Sequence, residues 1–224
     1  MKPNILFLCC SIIVFAGCSK SKNNINTTPA QETYLNTTSG STWTYHEIDS
    51  SGATPSNSDF TVTSTSEDTT ISTKSYHIYH YSYGSNEYLN ITGNSYYHFD
   101  SIPGVLGEIF ERLYLKDDAA IGANWKQNIS VTVSSIPIPL TISNTIAEKG
   151  ISRTVNGGNY TGVIHVITSI SSTAIPSAFL TSNIDSYYAP KYGLIENTTK
   201  IHLNYLGVTQ NVNIETKLQS SVLK

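Results

Sequence analysis

The stretch Ile151–Ile170, "ISRTVNGGNYTGVIHVITSI", places two runs of β-branched and polar residues on either side of Asn156-Gly157-Gly158. A two-residue type I′ turn needs positive φ at both central positions, and Asn-Gly adopts it most readily. The segment therefore predicts a β-hairpin. In its second arm Val163, His165 and Ile167 fall on one face, with Ile164, Val166 and Ile170 on the other. Both faces of that strand are expected to be covered.

The same period of two runs outward from this hairpin. Phe60 and Val62 alternate with Thr61 and Thr63, while Val212, Ile214 and Leu218 share a face with Thr216 against Asn211, Asn213 and Glu215. Short runs of this kind, bounded by Gly, Pro, Asn and Ser, predict about ten half-buried antiparallel strands. Helix is scarce. The one candidate is Gly104–Leu115, "GVLGEIFERLYL", where Val105, Leu106, Ile109, Phe110 and Leu113 would form a two-turn stripe; its glycines and its Leu113-Tyr114-Leu115 ending suit a strand as well. In Ser135–Ser143, "SIPIPLTIS", Ile136, Ile138, Leu140 and Ile142 share a face opposite Pro137 and Pro139. Proline cannot donate to a ladder, so this segment reads as an edge strand or an extended loop. The expected fold is all-β: a single domain built on a large curved antiparallel sheet, a half-barrel or open barrel, with little helix.

Met1–Gly17 has the plan of a secretory signal peptide: Lys2, an apolar core over Ile5–Phe15, then the small pair Ala16-Gly17. The core is shorter than the roughly 20 residues a permanent span needs. Cys18 follows at the boundary, in "VFAGCSK", and this ending resembles the lipobox of bacterial lipoproteins, with Phe15 where Leu is usual. That resemblance implies cleavage before Cys18 and lipidation of its sulfur; the alternative is an ordinary signal peptide. Cleavage there leaves 224 − 17 = 207 residues and no cysteine besides Cys18, so no disulfide is expected and stability must come from a core. Residues 18–36 have few apolar side chains and read as a flexible tether, with the all-β domain over 37–224. Lys20 and Lys22 make the tether basic. Acidic residues at that place accompany surface export in Bacteroidota-type lipoproteins, so the resemblance implies an outer-membrane protein facing the periplasm, with the cell surface as the alternative.

Without Lys2 the remaining chain has 12 basic and 16 acidic side chains, a formal charge of −4. With no basic cluster, nucleic acid is excluded as a partner. Charged residues make up 13% of the sequence and Ser, Thr and Asn dominate its polar positions, which leaves a neutral, hydroxyl-rich surface.

Two segments share G-x-x-W: Gly40-Ser41-Thr42-Trp43 and Gly122-Ala123-Asn124-Trp125. Each is followed some 50 to 60 residues later by a tyrosine pair, Tyr96-Tyr97 and Tyr187-Tyr188. This suggests two related halves, about 40–115 and 122–220; with fifteen tyrosines in the chain, chance is the alternative. These segments, with "TAIPSAF" and the closing "YYAPKYGLIEN", resemble a broad group of uncharacterised bacterial lipoproteins of the Bacteroidota type that open on G-x-x-W-x-Y and close on Tyr-Ala-Pro-x-x-Gly-Leu. The resemblance covers most of the processed chain and implies, by analogy, a strongly curved sheet like that of lipoprotein-localisation carriers. Pro190 and Gly193 suit a turn, and Lys191-Tyr192, in place of smaller residues, adds an aromatic expected to be exposed.

Chemistry is sparsely signalled. His77 and His80 fall on opposite faces of one strand and cannot share a metal; His46, His98, His165 and His202 stand alone. No nucleophile elbow, phosphate loop or dinucleotide fingerprint is present, and Asp117-Asp118 are expected in a solvent-facing turn. No catalytic, cofactor-binding or metal-binding residue is assigned. The enzyme class is disfavoured, with a hydrolase whose site forms only in three dimensions as the residual case. Asn90-Ile91-Thr92, Asn159-Tyr160-Thr161 and Asn197-Thr198-Thr199 match glycan acceptor sites but read as accidents of composition in a bacterial protein. The aromatic enrichment at Tyr76, Tyr79, Tyr81, Tyr83, Tyr88, Tyr96 and Tyr97 suits either a core or a grip on a lipid or sugar. The expected function is a membrane-anchored envelope lipoprotein, non-catalytic, that binds or carries an apolar or amphiphilic molecule (a lipid, amphiphile or glycan). The alternative is a structural or protein/glycan-interaction module of an envelope assembly.

Overall fold

The computed structural model describes residues 32–102, 109–133 and 136–224. The expected signal peptide, Cys18 and the expected tether up to residue 31 lie outside the described residues, as do Val105 and Leu106. Glu32–Lys224 is one compact unit, and it carries its own hydrophobic core.

Twelve strands make up this unit: β1 (Thr42–Asp49), β2 (Ser56–Ile71), β3 (Lys74–Tyr81), β4 (Asn86–Thr92), β5 (Ser95–Asp100), β6 (Phe110–Lys116), β7 (Asn124–Val133), β8 (Ile136–Val155), β9 (Gly158–Ser171), β10 (Leu180–Ala189), β11 (Gly193–Tyr205) and β12 (Val208–Val222). No helix occurs among the described residues. The helical reading of Phe110–Leu113 is therefore overturned: β6 pairs antiparallel with β5 from Asp100↔Phe110 to Ser95↔Lys116, and ladder pairing with tertiary burial outweighs a weak helical stripe.

All strands belong to one sheet, ordered β6-β5-β4-β3-β2-β1-β12-β11-β10-β9-β8-β7. Neighbours in sequence are neighbours in space, and the first strand pairs antiparallel with the last, Tyr45 opposite Leu218. The sheet curls into a nearly closed barrel whose one unpaired seam lies between β6 and β7. Side chains bridge that seam where a ladder would run. Trp125 Nε1 donates to the Leu113 carbonyl at 2.9 Å, and Gln127 Nε2 donates to the Glu111 carbonyl. Two residues along β7 match two residues back along β6, as antiparallel neighbours would.

Because strand direction alternates, the C-terminal ends of β1, β3, β5, β7, β9 and β11 all lie at one end of the barrel, the rim. The β2–β3, β4–β5, β6–β7, β8–β9 and β10–β11 connections and both ends of the compact unit lie at the base. Asn156 and Gly157 have φ of +48° and +82°, the type I′ hairpin expected of Asn-Gly. Pro137 and Pro139 sit where β8 pairs only with β7, since β9 joins β8 from Thr141 onward. That stretch is a local edge, which is where proline is tolerated.

The two G-x-x-W segments form equivalent corners at the base. Gly40 N donates to Ser64 O (2.8 Å), Ser64 N to Ser41 O (2.9 Å) and Ser41 N to Thr38 O (3.1 Å). Gly122 N donates to Ile146 O (2.8 Å), Ile146 N to Ala123 O (3.0 Å) and Ala123 N to Ala120 O (3.0 Å). Both glycines have positive φ, +81° and +82°, a conformation that costs other residues free energy. The tyrosine pairs do not correspond in the same way: Tyr96-Tyr97 lie on the fifth strand of the first six, Tyr187-Tyr188 on the fourth of the second six.

The interior holds two packed clusters. An aromatic-rich one at the base includes Tyr34, Leu35, Trp43, Tyr79, Tyr96 and Tyr188. An aliphatic one toward the rim includes Ile102, Ile138, Leu140, Ile142, Ile170 and Ile201. Side chains of this size each contribute about 1.5–3 kcal/mol when fully buried. Tyr34 and Leu35, in the stretch read as tether, are both buried, so packing begins at residue 34, ahead of the first strand. Their stretch crosses the base and plugs it. Tyr34 OH donates to Gly162 O at 2.6 Å, Tyr34 N donates to Tyr96 OH at 3.1 Å, and Lys191 N donates to Thr33 O at 2.8 Å.

Candidate functional site

A cavity of about 240 Å³ occupies the barrel interior. Its deep wall is apolar and aromatic: Leu35 from the plug, Trp43 and Tyr45 from β1, Val62 from β2, Tyr79 from β3, Tyr114 from β6 and Tyr188 from β10. The alternation of each strand turns these residues inward. Tyr45 stacks on Phe60 at 5.4 Å between centroids, Phe60 lies 5.5 Å from Tyr81, and Tyr81 stacks on Tyr83 at 5.0 Å, forming an aromatic ladder up one wall. The deeper phenols are spoken for. Tyr45 OH donates to Leu194 O at 2.8 Å and Tyr79 OH to Asn36 O at 2.9 Å, so they tie the wall to the start of β11 and to the plug.

Four ionisable side chains line the same cavity: Glu87 from β4, His98 and Asp100 from β5, and Arg112 from β6. Register brings them together, since His98 pairs with Leu89 on one side and with Arg112 on the other. His98 Nε2 lies 3.2 Å from Glu87 Oε1. Its Nδ1 lies 3.4 Å from Arg112 Nη2 and 3.3 Å from Asp100 Oδ2. Burial, with help from the Arg112 charge, holds His98 well below its ordinary range. It is therefore neutral at pH 7, with Nε2–H donating to Glu87 and Nδ1 accepting from Arg112. Burial pushes the Glu87 carboxyl up to about 7, reinforced by the Asp100 charge and opposed by Tyr81 and Arg112. Burial also raises Asp100, against the pull of Arg112.

Two side-chain donors of residues around the cavity, Trp43 Nε1 and Arg112 Nε, are fully buried and have no partner among the described residues. An unmade bond from a buried donor costs about 1–3 kcal/mol.

No family model matches the chain, and no curated protein matches it. Solved structures do. The chain shares its fold with an inferred lipoprotein from Parabacteroides distasonis. That alignment has a TM-score of 0.50 at 14% identity and covers 86% of this chain and 99% of the other. An inferred exported protein with a YmcC-like fold from Bacteroides fragilis aligns with a TM-score of 0.47 at 8% identity, over 86% of this chain and 99% of that one.

The remaining expectations fall as follows. Cys18, the expected lipidation residue, lies outside the described residues. His77 and His80 take separate roles: His77 Nε2 is 2.9 Å from Ser64 Oγ, and His80 Nδ1 is 2.6 Å from Asn86 Oδ1. No cluster able to hold a metal occurs among the described residues. Asp117 is not solvent-facing. It is buried, accepting from Tyr96 OH at 2.7 Å and from Asn94 Nδ2 at 2.7 Å, while Asp118 is exposed. Tyr192 lines the cavity and packs edge-on against Tyr160 at 5.0 Å, so it is not the exposed aromatic expected of the Lys191-Tyr192 turn. On the outer face His165 stacks on Tyr187 at 4.1 Å, and the Arg153 guanidinium lies 3.4 Å from the centre of the same ring; this stack covers the outer side of β9.

The ionisable group was missed in the sequence reading. A signal for it exists: once "IFERLYL" is a strand, adjacent Glu111 and Arg112 must face opposite sides, so one charge must enter the barrel.

Proposed function

We propose that this protein is a non-catalytic envelope lipoprotein that binds an apolar or amphiphilic molecule inside its barrel. The observation that carries the reading is a cavity plugged at its base, walled by aromatic side chains and lined on one side by Glu87, His98, Asp100 and Arg112. Apolar walls with a few placed polar groups are the usual build of a small-molecule site. The tail of an amphiphile would lie against Trp43, Tyr79 and Tyr188, and acceptor oxygens would meet Arg112. At about 240 Å³ the cavity lies below the roughly 300–1,000 Å³ usual for drug-sized ligands, so a single short chain suits it better than a two-chain lipid. Cys18 is the proposed lipid anchor, and the outer membrane facing the periplasm is the proposed location. The fold shared with an inferred lipoprotein and the lipobox-like "VFAGCSK" support the anchor, and the basic Lys20 and Lys22 favour the periplasmic face.

Mass spectrometry of small molecules that co-purify with the chain from residue 23 onward, produced in a bacterial host, tests the reading. A stoichiometric amphiphile that is lost on Trp43→Ala supports it. An empty protein that also fails to take up single-chain amphiphiles in titration overturns it in favour of a protein- or glycan-interaction module.

A further inference from the structure

Charge inside the barrel is uneven. Among the described residues, Arg112 is the one Lys or Arg side chain lining the cavity, against the carboxyls of Glu87 and Asp100. Its guanidinium lies 3.7 Å from Asp100, so its charge is already matched. Glu87 has no such cation among the described residues: its partners are the neutral His98 and the Tyr81 hydroxyl. A further carboxyl, Glu47 of β1, accepts from the lining Thr216 Oγ1 at 3.4 Å. The lining therefore carries a surplus of negative charge.

The surroundings of Glu87 are aromatic. Its partner across the β3–β4 ladder is Tyr79, and Tyr81, Phe60 and Tyr45 continue the wall as one ladder of rings. Burial, and next to it the Glu87 charge, pushes up the phenols of Tyr45, Tyr79 and Tyr81. These rings surround the carboxyl and stay uncharged. An aromatic face is negative at its centre, so it attracts a cation and repels an anion. A carboxylate without a matched cation, set among ring faces, has the chemistry that recognises an ammonium group.

We propose that the cavity selects a single-chain amphiphile with an ammonium head, held by Glu87 and Asp100 while its chain lies along the aromatic wall. A neutral acceptor oxygen on the same molecule can still meet Arg112, whereas an anionic head would add charge to a lining already net negative. Pairing with Glu87 offsets the desolvation of the ammonium, which an unpaired cation could not escape. This inference rests on the proposed binding of an amphiphile and names its head group.

Calorimetric titration of the chain from residue 23 onward with octylammonium, octanol and octanoate tests it, because the three share one chain length and differ in head charge. At pH 8, above the Glu87 value of about 7, octylammonium is expected to bind in a single site about tenfold more tightly than octanol, since a charge-assisted hydrogen bond is roughly twice as strong as a neutral one. Octanoate should bind more weakly than either. At pH 6 the preference for ammonium should shrink several-fold as Glu87 takes up its proton, and Asp100, also raised by burial, acts in the same sense. The other groups facing Glu87 do not change over this range: His98 is held low, the phenols of Tyr45, Tyr79, Tyr81, Tyr83, Tyr114 and Tyr188 are raised, and a guanidinium is charged throughout. Glu87→Gln keeps an acceptor for His98 Nε2 and should bring octylammonium down to the affinity of octanol. The order of the three heads is read on the unaltered chain, so it decides the matter even if the variant does not fold. Octanol bound with no preference for octylammonium, or octanoate bound most tightly, overturns the ammonium head and leaves the amphiphile cavity standing. No binding of any of the three overturns both. A preference for octylammonium that survives Glu87→Gln in a folded variant places the cation elsewhere on the protein and overturns the proposal as well.

Discussion

At the scale of single residues, the interior carboxyl of Glu87 makes stability depend on pH in a direction unusual for an acid. Its ordinary value is near 4.5 and the folded barrel raises it to about 7. The folded state therefore holds the proton more tightly than the unfolded chain. The contribution is fully present below about 4.5 and is lost as pH rises through about 7, amounting to at most about 3 kcal/mol. His98 acts in the opposite sense below its ordinary range near 6.5, because the unfolded chain takes up the proton that the folded state refuses. Glu87→Gln keeps an acceptor for His98 Nε2 and removes the titration. It is expected to leave Tm unchanged near pH 5 and raise it at pH 8, as read by thermal melts across that range; an unchanged difference between variant and parent would show that Glu87 does not titrate near neutrality. The two corner glycines make a second residue-scale case. A Cβ added at Gly122 meets nothing within 4 Å, so Gly122→Ala should cost about 1–2 kcal/mol through positive φ alone, and Gly122→Asn less. Urea unfolding of the two variants separates this from a packing effect, which would penalise Asn more.

At the scale of elements, the barrel is an unbroken antiparallel meander except at one seam. Closure between β6 and β7 rests on Trp125 and Gln127 reaching carbonyls of β6, in place of backbone donors. A side-chain bond of this kind is worth about 0.5–1.5 kcal/mol net, less than a ladder of comparable length. β6 is therefore expected to be the first strand to open. Trp125→Phe keeps most of the packing and loses the indole donor, so it should cost about 1 kcal/mol and raise amide exchange in β6 while leaving β1 and β12 protected. Uniform acceleration across all strands would place the weakness elsewhere. The seam was not legible in the sequence, because pairing partners are set by closure in space and β6 and β7 are adjacent in the chain. The hairpin at Asn156-Gly157 was legible, since its turn chemistry is local. The corner glycines were half legible: the G-x-x-W repeat is visible, but its matched hydrogen bonds reach residues 24 positions away, Ser64 and Ile146.

At the scale of the molecule, the base of the barrel is plugged and tied down. The plug belongs to the fold: Tyr34 and Leu35 are buried, although residues 18–36 read as a tether. Two apolar side chains in a polar stretch carry no period, so nothing local distinguishes a plug from a linker. A chain beginning at residue 37 should be less stable than one beginning at residue 23 by about 3–5 kcal/mol, with Tyr79 losing the Asn36 carbonyl it bonds. Equal urea midpoints would mean that the plug closes the base without supporting it.

The all-β class, the antiparallel alternation, the type I′ hairpin and the neutral, hydroxyl-rich surface followed from the sequence alone, because each depends on residues at most a few positions apart. The tertiary structure decided the near closure of the sheet, the seam, the plug and the meeting of Glu87, His98, Asp100 and Arg112. Each of these depends on which strands become neighbours, and twelve strands of similar pattern leave that choice to the packing of the whole barrel.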